Sequence, residues 1–490
     1  MKQALLVLSL VLAMAGGLCF AQEDVIKKAG RLELQGHFSA AAEILKASLA
    51  DAALGAAEQK QLEFELDRLA RIKKDFPYTK DQLFAVLKKS VRDLTLKEFD
   101  DWIREGRFDS RQIDGQVYFM GSSVKNLFFR YPELESRRVP PKDTTVSQKA
   151  RLETCLAIQR AAIAEKKPYV LPKRFHITLN VTAKANAAPA GQIIRAWLPI
   201  PREYPFQRDF DLLSASPKPA RIDARESAIR SIFMGQPARK DRPTEFRIEY
   251  DYTCYGVSFA PKPELVKASN PNDPLLSPFT REGPHLVFTP ELRKLSTQIV
   301  GGETNPCLVA KRCYDWIATH IQYSLAIEYS TIRNISDYCR TKGYGDCGQE
   351  AMLFIALCRL NGIPARWQSG WNTFPGNEDI HDWSEIYLAP YGWVPVDPYM
   401  GIFAMQYATA LSAVQRREIR DFYFGGLDQY RMAANSDHCQ TLVPPKQSMR
   451  SDNVDFQRGE LEWGSHNIYF DQYSYEFDVK ELPLPKGTVD

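Results

Sequence analysis

Three patterns of apolar and polar positions follow one another along the chain. From 22 to 166 the apolar residues recur at helical spacing. Leu62, Leu66, Leu69 and Ile72 form one stripe, and Phe99, Trp102 and Ile103 another that runs to Gly106. Thr79 with Gln82 and Thr95 with Glu98 read as capping boxes, and Asp114-Gly115 as a turn. No repeat of fixed period follows, which predicts a helical N-terminal domain rather than a solenoid. From 167 to 262 the period becomes two. Phe175, Ile177, Leu179 and Val181 alternate with polar residues, as do Ile194, Ala196, Leu198 and Ile200, and Phe246, Ile248, Tyr250 and Tyr252. Such strands with polar connections predict an antiparallel β-sandwich, with His176 on its polar side. A Pro/Asn-rich stretch, 260–284, then leads into a mixed domain spanning 263–490. Its first helix is expected over Leu308 to Ile321, and its last strands, alternating at Tyr473, Tyr475, Phe477 and Val479, are expected to extend its sheet.

The chemistry concentrates in this last domain. In Gly345-Asp346-Cys347-Gly348-Gln349, Asp346 and Gln349 make a capping-box pair, so a helix should begin at Cys347. Ala351, Phe354, Ile355 and Cys358 give it one apolar face, and Asn361-Gly362-Ile363-Pro364 ends it. In a first turn, unpaired N–H groups and the helix dipole favour an anion and lower a thiol pKa. Downstream, His381 to Leu388 and Gly392 to Asp397 read as two strands of a hairpin around Ala389-Pro390-Tyr391. If Gly392 is the bulge residue of a three-residue loop, Leu388 faces Gly392 and Trp383 faces Asp397. His381 is then the diagonal neighbour of Asp397, within side-chain reach. A four-residue turn would separate them. A cysteine nucleophile needs a base, and the base a group that fixes its tautomer, so Cys347, His381 and Asp397 are the candidate catalytic set.

These residues, with Leu357-Cys358-Arg359-Leu360-Asn361-Gly362-Ile363-Pro364-Ala365-Arg366, His381-Asp382-Trp383-Ser384-Glu385 and Gly392-Trp393-Val394-Pro395-Val396-Asp397-Pro398, resemble the transglutaminase-like superfamily. The likeness covers about Gly343 to Tyr399. It implies a papain-related α+β catalytic domain, with Cys347 as nucleophile, His381 as general base and acid, and Asp397 as orienting carboxylate. The backbone N–H of Cys347 is the natural first oxyanion donor, and a second has no match. Taken singly, a cysteine at a helix start reads as a small buried hydrophobe and a strand histidine as structural.

The N-terminus changes the setting. Met1-Lys2, an apolar stretch from Ala4 to Ala15, and small residues before Gln22 form a secretory signal peptide over 1–21. Cys19 invites lipoprotein anchoring, but Leu18 stands where a small residue is expected before an acylated cysteine. An exported, periplasmic or extracellular protein without a transmembrane segment is therefore expected. The 490 residues are 44% hydrophobic and 25% charged, as in ordinary globular chains. The net charge of +3 has no basic block that would argue for nucleic acid. Without Cys19 eight of the nine cysteines remain, and setting Cys347 aside leaves seven, irregularly spaced. With no Cys-x-x-Cys, no paired histidines and no calcium loop, neither a metal nor a cofactor is expected.

The expected activity is attack of a Cys347 thiolate on an amide carbonyl to give a thioacyl-enzyme. Release to water makes a peptidase or amidase acting on peptide, protein or cell-wall amides; release to a primary amine makes a cross-linking acyl transferase. Transfer needs a site that excludes water, and nothing in the sequence builds one. Hydrolysis leads, acyl transfer is the alternative, and a non-catalytic binding module that keeps the fold is the third reading. His438 and His466, and Trp371, Trp383 and Trp393, are further candidates for the cleft wall, with core packing an equal explanation for the tryptophans.

Overall fold

Helical spacing before residue 142 and period-two alternation after it produce two separate bodies. The computed structural model describes residues 25–51, 54–141 and 144–485. The expected signal peptide, with Cys19, lies outside the described residues. The chain divides into two units, Met1–Lys142 and Asp143–Asp490.

The first unit is helical, with helices including Ala56–Asp75, Lys80–Ser90 and Leu96–Arg104 and a short hairpin, Ser110–Ile113 with Gln116–Phe119. Asp114 and Gly115, at φ 49° and 89°, make the tight turn. Both arms of the Thr79–Gln82 box form. At Thr95 only the hydroxyl arm forms, because the Glu98 carboxylate is drawn to Arg137 at 2.5 and 3.0 Å. Phe99, Trp102, Phe108, Phe119 and Leu127 gather in the core.

The second unit contains a β-sandwich and the candidate catalytic sheet. One sandwich sheet joins Thr244–Ser258 to Tyr169–Ala183, Gln207–Ser216 and Tyr473–Leu482; the other centres on Ile193–Pro199, Ser231–Pro237 and Glu460–Trp463. The alternating residues Ile177, Leu179, Val181, Ala196, Leu198, Ile248 and Tyr250 interdigitate between the two sheets and are fully buried. Alternation identified the strands, but their partners come from far along the chain. The terminal strand does not extend the catalytic sheet; it pairs with Tyr169–Ala183, Tyr473 facing Ala183 and Leu482 facing Arg174. The helix Thr145–Glu165, expected in the N-terminal domain, belongs to this second unit. Its Leu152, Cys155 and Ile158 are buried with Ile419, Phe422 and Tyr423.

The catalytic sheet has the order Gly392–Val396, Asp379–Leu388, Ala365–Asn372, Arg431–Ser436, all antiparallel. Beside it runs the helix Cys347–Leu360, beginning and ending as its capping residues require. It has no exposed face: every residue from Gly348 to Arg359 is buried, so it is a central helix rather than the half-buried one its spacing suggested. The eight described cysteines are free thiols, Cys358 among the fully buried ones. No helix among the described residues is long and apolar enough to cross a membrane.

Candidate active site

The start of the Cys347 helix is built by its N-cap. The Asp346 carboxylate accepts the Gln349 N–H at 3.1 Å and the Tyr329 hydroxyl at 2.6 Å. The Gln349 side chain does not return the bond, and its amide nitrogen is buried without a partner. Tyr329 lies so close over the first turn that a Cβ on Gly348 would meet its hydroxyl at 2.2 Å. Only glycine fits beside the thiol.

The hairpin has the register of the bulged turn. Leu388 faces Gly392, at φ +82°, and Ser384 faces Val396. One step further this register sets Trp383 opposite Asp397, with His381 on the diagonal. His381 Nε2 and Asp397 Oδ2 are 2.8 Å apart, which leaves Nδ1 of the imidazole for another partner. Asp397 also caps the short helix Pro398–Ile402, its Oδ1 accepting the Met400 N–H at 3.1 Å. Its third partner comes from the other edge of the sheet: Arg431 Nη2 lies 3.0 Å from Oδ2. Arg431 reaches Asp428 at 3.2 Å as well, and Asp428 takes Arg151 at 3.1 Å and the Tyr423 hydroxyl at 2.6 Å. Asp397, Arg431 and Asp428 are completely buried. Burial pushes carboxyl pKa values up, but here paired charge wins. His381 and Arg431 hold Asp397 below the usual carboxylate range, and Arg431 with Arg151 holds Asp428 at about 2. His381, packed against Tyr399 with ring centroids 5.4 Å apart, is lowered by burial despite Asp397.

The thiol side is different. Cys347 is partly exposed, and its Sγ donates to Asp382 Oδ2 at 3.6 Å. Among the described residues no hydrogen bond joins it to His381. Asp382 accepts Gln457 Nε2 at 2.8 Å through its other oxygen, and the Tyr329 hydroxyl lies 3.4 Å from Oδ2. Burial, with Asp455, Asp346 and Asp452 nearby, pushes the Asp382 carboxyl well above its ordinary range. Burial likewise moves Asp346 to about 6 and Asp455 to about 7. Glu350, one turn along the helix, is fully buried with neither carboxylate oxygen hydrogen-bonded, and burial raises it too. In these surroundings burial and then Asp382 and Asp346 raise the Cys347 pKa. The lowering expected of a helix start does not prevail: burial first, and then the neighbouring carboxyls, push the thiol up.

The structure thus joins His381 to Asp397 and places the Cys347 thiol on the residue next to His381. Arg431, Asp382 and Tyr329 belong to the site and were missed. Asp382 stood in plain view beside His381, but strand alternation assigns adjacent residues to opposite faces. Nothing local marked Arg431. Of the other candidates, His438 is held by Asp437 and the Pro284 carbonyl, and His466 stacks on Trp463. Trp371 and Trp383 are core residues, and Trp393 packs on Arg366. Among the described residues no group of three or more His, Cys, Asp or Glu side chains is arranged to hold a metal.

Residues 293–398 match the transglutaminase-like superfamily, so the chain carries a transglutaminase-like domain that contains Cys347, His381 and Asp397. An uncharacterized protein of Haemophilus influenzae is 22% identical over 231 residues, 42% of this chain and 62% of that relative. The chain thus matches about three fifths of that curated relative's length. Among solved structures, a candidate cysteine protease from Cytophaga hutchinsonii is similar over 65% of this chain and 93% of its own, at 16% identity and a TM-score of 0.42. The periplasmic domain of TgpA from Pseudomonas aeruginosa is similar over 48% of this chain and 98% of its own, at 14% identity and a TM-score of 0.25.

Proposed function

We propose that the chain is an exported cysteine hydrolase that cleaves amide bonds in peptides, proteins or cell-wall material through a thioacyl-enzyme on Cys347. The observation that carries this reading is the His381–Asp397 pair at 2.8 Å, delivered by the register of the bulged hairpin. Asp397, kept ionised by Arg431, fixes the imidazole so that Nδ1 is free to take the Cys347 proton. The thiolate attacks the carbonyl carbon, a C–S bond forms, and the Cys347 backbone N–H serves as first donor to the developing oxyanion. His381 returns its proton to the leaving amine as the C–N bond breaks. Water, deprotonated by His381, then displaces the thiol and frees the acid.

Acyl transfer to a primary amine uses the same groups, so product analysis separates the two. Incubation with a glutamine-containing protein and a labelled amine should yield cleaved or deamidated product without label. Labelled adduct without hydrolysis would replace this reading with a transferase, and no reaction beyond that of Cys347→Ala would favour a binding module.

A further inference from the structure

The buried carboxyl beside the thiol has no part in the mechanism above. Asp382 lies 3.6 Å from Sγ, which donates to its Oδ2, and the Asp382 backbone N–H also hydrogen-bonds the sulfur. The charged and titratable groups facing it come from several elements. Asp346 and Cys347 lie at the helix start, Tyr329 on the segment above it, and His381 precedes Asp382 on the strand. Asp452, Asp455 and Arg458 come from the loop that crosses the site. Arg458 is the cation among them, and its own neighbours are Tyr475, Glu328, Tyr473 and Asp452. Among the described residues Asp382 therefore accepts from Gln457 and the Cys347 thiol, the Tyr329 hydroxyl that donates to Asp346 lies 3.4 Å from its Oδ2, and it has no ion-pair partner.

We propose that Asp382 gates the nucleophile: ionised, it holds Cys347 as the thiol, and protonated, it becomes a donor to the thiolate. This rests on the reading of Cys347 as the nucleophile. With Asp382 ionised, the S–H donates to Oδ2, and a thiolate would sit 3.6 Å from a second anion in a poorly solvated site. When the carboxyl takes one proton from solvent, its O–H turns toward sulfur and the thiol proton passes to His381 Nδ1. The product is a thiolate, an imidazolium and a neutral acid, one proton richer than the resting state. The gate opens on the acid side of neutrality. The directions of the two shifts agree with this: burial lowers His381, so its imidazolium forms only on the acid side of neutrality, and burial raises Asp382 from the ordinary carboxylate range toward it.

Asp382→Asn tests the gate, since the amide can still accept from Gln457 while its NH2 faces sulfur. Its Cys347 should be alkylated by iodoacetamide about tenfold faster than wild type at neutral pH, the effect of one unit in the apparent thiol pKa. Equal or slower alkylation, with wild-type Cys347 still selectively reactive at acidic pH, overturns the gate and leaves the nucleophile reading standing. If wild-type Cys347 reacts no faster than Cys439 at any pH, the nucleophile reading falls and the gate with it. Should the variant fail to fold, wild type answers alone. Its thiolate absorbance, relative to Cys347→Ala, should fall as pH rises through neutrality before rising again in alkali. A monotonic rise contradicts the gate.

Discussion

The two sides of the site solve the same problem in opposite ways. On the His381 side, buried carboxylates stay ionised because each meets a cation: Asp397 has His381 and Arg431, and Asp428 has Arg431 and Arg151. On the Cys347 side, Asp382, Asp346, Asp455 and Glu350 cluster with few cations, and burial raises their pKa values instead. One side fixes a base in a single orientation at all ordinary pH values. The other makes the nucleophile's charge depend on pH. The difference explains why a cysteine at a well-formed helix start is not a ready thiolate.

The largest effect expected from breaking the paired side is on rate. His381→Ala should lower amide hydrolysis by about 10⁴-fold or more, since the acceptor of the thiol proton is lost, and should also lower the urea midpoint, since buried Asp397 loses one of its charge partners. A fall of only a fewfold would mean that Asp382 takes the thiol proton in place of His381.

Next is stability. Arg431→Met should cost about 3–5 kcal/mol in urea unfolding, because Asp397 and Asp428 lose their shared buried cation. The sign of its pH dependence follows from depressed values. Asp428, held at about 2 against roughly 3.9 unfolded, contributes stability that is present above pH 4 and lost as pH falls toward 2. In Arg431→Met that acid-labile part should shrink.

On the thiol side the expected effects are similar or smaller. Gly348→Ala should cost about 1–3 kcal/mol by pushing Tyr329 off the first turn, and an unchanged melting temperature would show that the ring has room to move. Asp346→Asn keeps the N-cap, and its effect lies in the pH slope. With its pKa raised to about 6, the folded state holds the Asp346 proton longer than the unfolded chain. Stability from this group therefore falls as pH rises from about 4 through 6, opposite to Asp428. The variant should flatten that decline by up to about 3 kcal/mol, as read from urea midpoints at the two ends of the range.

What the sequence disclosed was local. Asp346 announced the helix start, Gly392 the bulged turn, and the turn in turn announced that His381 and Asp397 would meet. Period-two spacing marked Phe175 to Val181 as a sandwich strand, yet gave no sign that Tyr473 to Leu482 would pair with it across nearly three hundred intervening residues. The electrostatics were hidden for the same reason. A dipole argument at Cys347 uses one helix, whereas the thiol is raised by its burial in the folded chain and by Asp382 of the strand as well as by Asp346 and Glu350. Arg431 reaches Asp397 from another strand with nothing in its flanks to betray it.

The central claim is that Cys347 is the nucleophile and owes its reactivity to His381 rather than to exposure. Cys439 is the internal control, because it too is partly exposed, and burial pushes its thiol up to about 12. Iodoacetamide at mildly acidic pH, followed by peptide mapping, should label Cys347 about tenfold or more faster than Cys439. That preference should disappear in His381→Ala. Equal labelling of the two thiols in the wild-type protein, or a preference that survives loss of His381, would contradict the account.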